Sequence, residues 1–268
     1  MAHTPTPPQR AKGWSAPATT RRVLELLAHL DWRTARVADV GTGRGHFSML
    51  LGEMLRADGI EPAAHVFPCD LIPASYEYDT VPCVPIEPDG RLPFADNEFD
   101  AVVSIEVIEH VENQFAFMRE LARIAKPGGL VIVTTPNTLN VNSRLRTLLT
   151  GFPLLFDPLP LRCSDPRTLH GHIHPSGPYF LAYVALRAGL RDPTFHPDRT
   201  KKSAVSLTLL FAPLLVVGRF FHHRRLRRKE PEVLRENQAL LAMQERWGLL
   251  TCRTAVLRTI KPAMEPHG

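Results

Sequence analysis

Three glycines beside an acidic residue form the most informative cluster of this chain. They follow Asp39, at the end of an apolar run, at every second position: Gly41, Gly43 and Gly45. Because glycine has no Cβ atom, such a turn lets the backbone approach a ligand closely. The dinucleotide-binding fingerprint has its third glycine one position later, where this chain has His46, which argues against NAD or FAD. The cluster therefore predicts a nucleotide-containing ligand of another kind.

A second acidic residue stands at the predicted end of the next strand. The apolar run 64–67 leads to Asp70, and in nucleotide-binding sheets a carboxylate at this place holds the ribose hydroxyls. Two further apolar runs follow in order, one within 92–104 after an acidic turn and one within 126–137 after a Pro-Gly-Gly stop. Parallel strands bring their carboxyl ends to one edge of a sheet, so Asp70 is expected beside the glycine turn.

Taken in order, these segments resemble the class I S-adenosylmethionine (SAM) dependent methyltransferases, whose first motif reads D-x-G-x-G-x-G. The resemblance covers residues 36 to about 137. It implies that Asp39 accepts a hydrogen bond from the amino-acid end of SAM, that the glycines hold the methionine part, and that Asp70 holds the ribose. The start of the segment 104–110 is expected at the adenine. The SAM-binding residues that the resemblance implies are Asp39, Gly41, Gly43, Gly45, Asp70, Ser104 and Ile105.

Two carboxylates and an imidazole follow the fourth predicted strand. Glu106, Glu109 and His110 stand at i, i+3 and i+4, which places them on one face if the chain is helical here. The segment resembles the E-V-x-E-H segment of the ubiquinone-pathway O-methyltransferases and of the small-RNA 3′-terminal 2′-O-methyltransferases. In the second family a histidine from a later loop completes a metal site, and by position His172 is favoured over His174 for that role.

This second resemblance implies a divalent cation, magnesium, manganese or zinc, held by Glu106, Glu109, His110 and His172. Such a cation would lower the pKa of an acceptor hydroxyl and orient it toward the methyl group. A catalytic role without metal is also open, in which His110 or Glu109 acts as general base at the hydroxyl. The third alternative is structural, since acidic side chains favour the first turn of a helix.

A strongly apolar stretch is followed by a strongly basic one. Residues 204–217 form the apolar run, and six Arg or Lys lie between 219 and 229. The run is shorter than the ~20 residues needed to span a bilayer and contains Pro213, so a transmembrane helix is not expected. Residues 204–229 instead predict peripheral contact with an anionic membrane. A core helix with a solvated basic tail is the alternative, and nucleic acid is less favoured because aromatic residues for stacking are few.

These residues must be positioned by alternating strands and helices. Apolar periodicity and glycine or proline stops predict strands near 36–41, 64–69, 82–86, 99–105, 129–135, 192–197 and 249–262. The predicted helices are 20–30, 45–57, 113–126, 178–190 and 231–246. This alternation is typical of an α/β fold with a parallel, doubly wound sheet. The resemblance implies seven strands in a Rossmann-like arrangement.

The expected division of the chain is a disordered leader at 1–19, a methyltransferase domain at 20–262 and a tail at 263–268. Within the domain, residues 203–248 are expected to be an apolar and basic helical insertion before the last strand. An insertion of this size in a sheet connection is usually functional.

Composition is compatible with one catalytic domain in a reducing compartment. The chain has 268 residues, 44% of them hydrophobic, which suffices for an α/β core. Its four cysteines contain no C-x-x-C pair, so neither a zinc knuckle nor a disulfide framework is suggested. The Pro-, Thr- and Ala-rich start lacks an apolar core, which predicts no signal peptide. The expected location is the cytoplasm, with peripheral contact at the inner face of the membrane.

Together these features predict a SAM-dependent methyltransferase that methylates a hydroxyl oxygen. The acceptor stays open among a small molecule, a lipid-linked compound and a glycan, and the apolar and basic stretch favours the lipid-linked class. An RNA 2′-O-methyltransferase is the second hypothesis, motivated by the E-x-x-E-H segment and His172. A SAM-binding protein without catalysis is the third.

Overall fold

The fold is a seven-stranded sheet covered by helices on both faces. It was obtained as a computed structural model that describes residues 15–162 and 171–263. The strands are β1 Val37–Val40, β2 Val66–Asp70, β3 Val84–Pro85, β4 Phe99–Ile105, β5 Ala125–Pro136, β6 Arg191–Pro197 and β7 Thr254–Ile260. The helices are α1 Pro17–Leu27, α2 His46–Ala57, α3 Gln114–Ile124, α4 Val141–Thr150, α5 Pro178–Arg187, α6 Lys202–Lys229, α7 Pro231–Gln244 and α8 Trp247–Thr251.

The order of the strands in the sheet is β3-β2-β1-β4-β5-β7-β6. Strands β1 to β5 pair in parallel, whereas β7 runs antiparallel between β5 and β6. The chain reverses its direction of winding between β1 and β4, and such a switch point opens a crevice at the carboxyl ends of the strands. The predicted doubly wound seven-stranded sheet is confirmed.

The central strands are buried on both faces because helices cover both faces. Alternate residues of one strand enter different cores: Val37 lies in the core with α1 and α2, whereas Ala38 lies in the core with α3, α5 and α7. Val103 and Val102 divide in the same way in β4. This period of two explains why these strands read as continuous apolar runs in the sequence.

The first helix begins earlier than its apolar spacing suggested. Helix α1 starts at Pro17, inside the predicted leader 1–19, because proline has the backbone angle of a first helical turn and needs no hydrogen-bond partner there. Residues 1–14 and 264–268, which carry most of the predicted leader and tail, lie outside the described residues. So does Cys163, while the other three cysteines are free thiols.

Three helices, α6 to α8, lie between β6 and β7, in the segment predicted as helical. Helix α6 is 28 residues long and contains Pro213, so the proline of the apolar run does not end the helix. Pro213 is exposed, and a long helix tolerates the loss of the single hydrogen bond that proline cannot donate. The predicted last strand, 249–262, also begins too early, since its first residues belong to α8.

Candidate active site

The glycine turn connects β1 to α2 at the carboxyl edge of the sheet. All three glycines have a positive φ, 74° at Gly41, 55° at Gly43 and 84° at Gly45, where L side chains are strained. A Cβ atom on Gly41 would lie 2.5 Å from Val107, and one on Gly45 would lie 2.5 Å from Tyr76. A Cβ atom on Gly43 would meet no heavy atom within 4 Å. Gly43 therefore borders open space, as a cofactor-binding turn requires.

Asp39 is buried behind this turn and holds its shape. One carboxylate oxygen accepts hydrogen bonds from the hydroxyls of Thr42, at 2.6 Å, and Ser48, at 2.7 Å. Burial raises the pKa of Asp39 to about 6, and the two hydroxyl donors oppose that rise. Through these two hydrogen bonds Asp39 connects the turn to the start of α2. Asp39 therefore stabilises the conformation of the turn.

Asp70 lies beside the glycine turn, as expected from the parallel pairing of β1 and β2. Its Oδ2 accepts a hydrogen bond from the backbone N–H of Gly43 at 2.8 Å, and its Oδ1 accepts one from Ile72 at 2.8 Å. Ser104, at the end of β4, is fully buried, and its hydroxyl has no hydrogen-bond partner among the described residues. Ile105 follows and packs against the core of α1 and α2. An unpartnered buried hydroxyl is uncommon in folded proteins, so Ser104 stays a candidate residue of the site.

The segment after β4 does not form the predicted helix face. Glu106 has a φ of 55°, and only a single 3₁₀ turn follows, at Ile108–His110. The Glu106 carboxylate turns toward β7, where it accepts a hydrogen bond from the Thr254 hydroxyl at 3.2 Å. The structure therefore separates Glu106 from Glu109, because the reversed backbone angle aims the two side chains apart. Burial raises the pKa of Glu106.

Glu109, His110 and His172 come together, with ligand atoms that all lie within 4.8 Å of one another. Glu109 is fully buried, and neither of its carboxylate oxygens has a well-formed hydrogen bond in the described part of the chain, although the Thr135 hydroxyl lies close enough to oppose the rise of its pKa. Burial raises its pKa to about 8. A carboxylate without well-formed hydrogen bonds in a protein interior calls for a proton or a cation.

The two histidines of this group are oriented by the loop that precedes α5. His110 donates from Nδ1 to the carbonyl oxygen of Gly171 at 2.8 Å, which leaves Nε2 as its acceptor nitrogen. The Nδ1 of His172 is buried without a partner among the residues described. Burial lowers the pKa of His172, and the nearby His110 lowers it further. His174 instead contacts the carbonyl oxygen of Glu112 at 3.1 Å, so the structure brings His172 into the group and leaves His174 outside.

Several residues around the site carry no signal in the sequence. Val107 and Tyr76 cover two of the glycines, but an isolated valine or tyrosine in a loop predicts nothing. Lys201 and Arg253 line a cavity of about 70 Å³ together with Leu154 and Leu155. They stand before α6 and β7, so only the antiparallel return of β7 brings them together.

Comparison with known proteins agrees with this geometry. Residues 38–133 match the family model described as a methyltransferase domain. A probable S-adenosylmethionine-dependent methyltransferase of Mycolicibacterium smegmatis is 39% identical over 63 residues, which are 24% of this chain and 24% of that protein. A ubiquinone biosynthesis O-methyltransferase of Xanthomonas oryzae is 32% identical over 119 residues, 42% of this chain and 47% of that protein. The chain thus spans about a quarter of the first of these curated relatives.

Solved structures show the same fold over most of the chain. A SAM-dependent methyltransferase from Archaeoglobus fulgidus superimposes with a TM-score of 0.53 at 16% identity, covering 90% of this chain and 92% of that one. A putative methyltransferase of Haloferax volcanii, solved with its Trm112 activator, gives 0.50 at 17% identity, with 91% and 89% covered. Residues 38–133 of this chain are therefore similar to a methyltransferase domain, and the described chain has the fold of these solved SAM-dependent methyltransferases.

Proposed function

We propose that this protein transfers the methyl group of SAM to a hydroxyl oxygen of its acceptor. The observation that carries the proposal is the placement of two groups at one edge of the sheet. The glycine turn with its open space at Gly43 follows β1, and the Glu109, His110 and His172 group follows β4, the neighbouring strand. A ligand on the turn would therefore have this group beside it.

The residues on the turn fit SAM. A Cβ atom at Gly43 would project into open space, and Asp70 already accepts a hydrogen bond from that glycine's backbone. In this proposal Asp70 would hold the ribose, and the orphan hydroxyl of Ser104 supports a polar contact on the adenine side. Bound SAM supplies a methyl group that its sulfonium already activates, so the protein contributes mainly proximity and alignment.

His110 is placed to accept the proton of the acceptor hydroxyl. Because Nδ1 donates to the carbonyl oxygen of Gly171, the lone pair of the neutral ring is on Nε2. Glu109 stabilises a positive charge on this imidazole when it is ionised. This pair would act as general base without any metal.

The proposal also includes a divalent cation bound by Glu109, His110 and His172. The carboxylate of Glu109 and the Nδ1 of His172 are both buried without partners in the described residues, and both lie within reach of one point. A cation there would satisfy both at once and lower the pKa of a bound hydroxyl. Two imidazoles and one carboxylate suit zinc or manganese better than magnesium, because magnesium prefers oxygen ligands.

The experiment compares methyl transfer and SAM affinity with and without a chelator. Label from methyl-tritiated SAM is followed into cellular fractions, while titration calorimetry measures SAM binding. We expect chelation to suppress transfer at least tenfold and to leave SAM affinity within about twofold. Glu109→Gln and His172→Ala should have the same effect, whereas His174→Ala, on the same loop but outside the group, should resemble the wild type.

The alternatives give different results in the same assay. Label in RNA 3′ ends would favour an RNA 2′-O-methyltransferase, and SAM binding without label in any fraction would favour a binding protein without catalysis. Transfer that resists the chelator but is lost in His110→Ala would assign the hydroxyl chemistry to the imidazole alone. Transfer that survives both changes would contradict the proposed role of the group.

A further inference from the structure

The outer side of α6 carries an apolar surface that no described residue covers. Seven large side chains on this helix are half or more exposed: Leu209, Leu210, Leu214, Val216, Val217, Phe220 and Phe221. Only Ala204 and Thr208, one turn apart on the inner side, are fully buried. A helix of a protein in water normally turns its apolar side to the core, and an exposed apolar surface of this size marks an interaction site.

The charge at the end of the same helix indicates the partner. Helix α6 contains no Asp or Glu, and its last turns carry five exposed basic residues: Arg224, Arg225, Arg227, Arg228 and Lys229. None of the five forms an ion pair within the described residues. By helical spacing, Arg224 and Arg228 continue the side of Leu210, Leu214 and Val217. An apolar surface that continues into a basic one complements the acyl chains and headgroups of an anionic bilayer.

The neighbouring helix determines how α6 would lie. By length and composition α6 could cross a membrane, since an 18-residue window has a mean hydropathy of 2.0. However, α7 returns along it, and Glu245, just after α7, pairs with Arg219. Helix α7 is fixed to the domain by Leu240 and Met243 in the core. A spanning α6 would draw the charged residues of α7 into hydrocarbon, which is costly. The packing therefore favours α6 lying along a membrane surface over α6 crossing a bilayer.

The start of α6 lies at the candidate active site. The backbone N–H of Lys201 donates to the carbonyl oxygen of Thr251, and its side chain lines the 70 Å³ cavity with Arg253. Leu155 lines the same cavity, and the ring of the next residue, Phe156, packs on that of His172 with 5.2 Å between the ring centroids. Neither Lys201 nor Arg253 forms an ion pair with any residue in 15–162 or 171–263. The Glu106 and Asp198 carboxylates lie near these two cations without forming an ion pair with them, so Lys201 and Arg253 keep donors for an anionic substituent.

We propose that the outer side of α6 docks this protein on an anionic lipid bilayer, with the helix along the interface and the Lys201 and Arg253 cavity at the headgroups. The acceptor is then a membrane lipid or lipid-linked compound with an anionic head. The docking stands independently of methyl transfer, whereas the acceptor class rests on the proposed function.

The docking is tested by sedimentation of the full chain with vesicles. Vesicles of phosphatidylcholine with phosphatidylglycerol should carry most of the protein down at low salt, those of phosphatidylcholine alone far less, and high salt should reduce the difference. The double variant Leu210→Glu with Val217→Glu should lower sedimentation at least tenfold. Ala57→Glu adds a negative charge at the exposed end of α2, on the opposite side of the sheet, and should leave sedimentation unchanged.

The docking would be overturned if the wild type stayed in the supernatant with anionic vesicles at low salt, or if the double variant sedimented like the wild type. Light scattering adds a separate readout. A wild-type dimer that becomes monomeric in the double variant, together with absent vesicle binding, would assign the apolar surface to a second copy of the chain.

The acceptor class is tested by where label from tritiated SAM goes. We expect label in the lipid extract, and at least tenfold less for Lys201→Ala with Arg253→Ala, with SAM affinity unchanged and sedimentation lowered far less than in Leu210→Glu with Val217→Glu. Label only in RNA or in water-soluble compounds would overturn the lipid acceptor while leaving the docking intact. Label in no fraction would instead count against the proposed methyl transfer, which vesicle sedimentation does not measure.

Discussion

Several polar side chains at the sheet edge are buried without hydrogen-bond partners in the part of the chain that the structure describes. Such groups lower the stability of the protein in the absence of a ligand. Glu109 is fully buried without a well-formed hydrogen bond, and the buried hydroxyl of Ser104 is also without a partner among the described residues. Gly43 has the reverse property, a strained backbone angle next to open space. Such features cost free energy in the free protein and are expected where a ligand compensates for them.

Gly43→Val is expected to abolish detectable SAM binding. A branched side chain would enter the open space beside the turn and would be strained at a φ of 55°. Gly59→Val is the matched control, because Gly59 also has a positive φ and open surroundings but lies after the far end of α2. Titration calorimetry should show normal affinity for the control. Gly43→Val binding within about threefold of the wild type would remove the turn from the site.

Glu109 should make the free protein less stable as pH rises. Its pKa is about 8 in the folded protein and near its ordinary value of 4.5 when unfolded, so between these values the folded state binds a proton that the unfolded state has lost. The unfolding free energy of Glu109→Gln relative to the wild type should therefore increase from pH 5 to pH 8, by up to ~1.4 kcal/mol per pH unit. Urea titrations at several pH values measure this. If the difference in unfolding free energy between Glu109→Gln and the wild type did not vary with pH, the pKa of Glu109 would not be raised in the folded protein.

At the scale of elements, the sequence predicted the strands well and the special turns poorly. Apolar runs such as 99–105 report burial on both faces of a strand, and helices on both faces of the sheet provide that burial. Glu106 reverses its backbone through contacts with β5, whose Thr134 accepts its N–H, and such long-range contacts leave no local pattern. Pro213 argued against a membrane span in the sequence, yet it lies inside α6, whose exposed side accepts it.

Replacing a large apolar side chain by alanine should destabilise the protein on α7 but hardly at all on α6. Met243→Ala on α7 removes a buried side chain of the core and is expected to cost about 2–4 kcal/mol of unfolding free energy. Leu214→Ala on α6 removes a side chain that is 66% exposed and should change stability by less than about 0.5 kcal/mol. Urea unfolding without lipid compares the two. Equal losses would mean that the outer side of α6 is covered in solution.

At the scale of the whole molecule, the sheet brings four distant segments to one edge. The glycine turn after β1, Asp70 after β2, the Glu109 and His110 turn after β4, and the loop with His172 all meet there. The sequence predicted the first three because each directly follows a strand. It selected His172 only through a resemblance, and it missed Lys201 and Arg253, because their proximity depends on the helices between β6 and β7.

The most direct test of the account is transfer of the tritiated methyl group of SAM by the full chain. The assay compares the wild type, Gly43→Val and Glu109→Gln on the same lipid, RNA and small-molecule fractions. We predict that the wild type labels one fraction, that Gly43→Val labels none because SAM is not bound, and that Glu109→Gln binds SAM normally but transfers at least tenfold less. Labelling by Gly43→Val at the wild-type rate, or by Glu109→Gln at that rate, would contradict the placement of both reactants at this edge of the sheet.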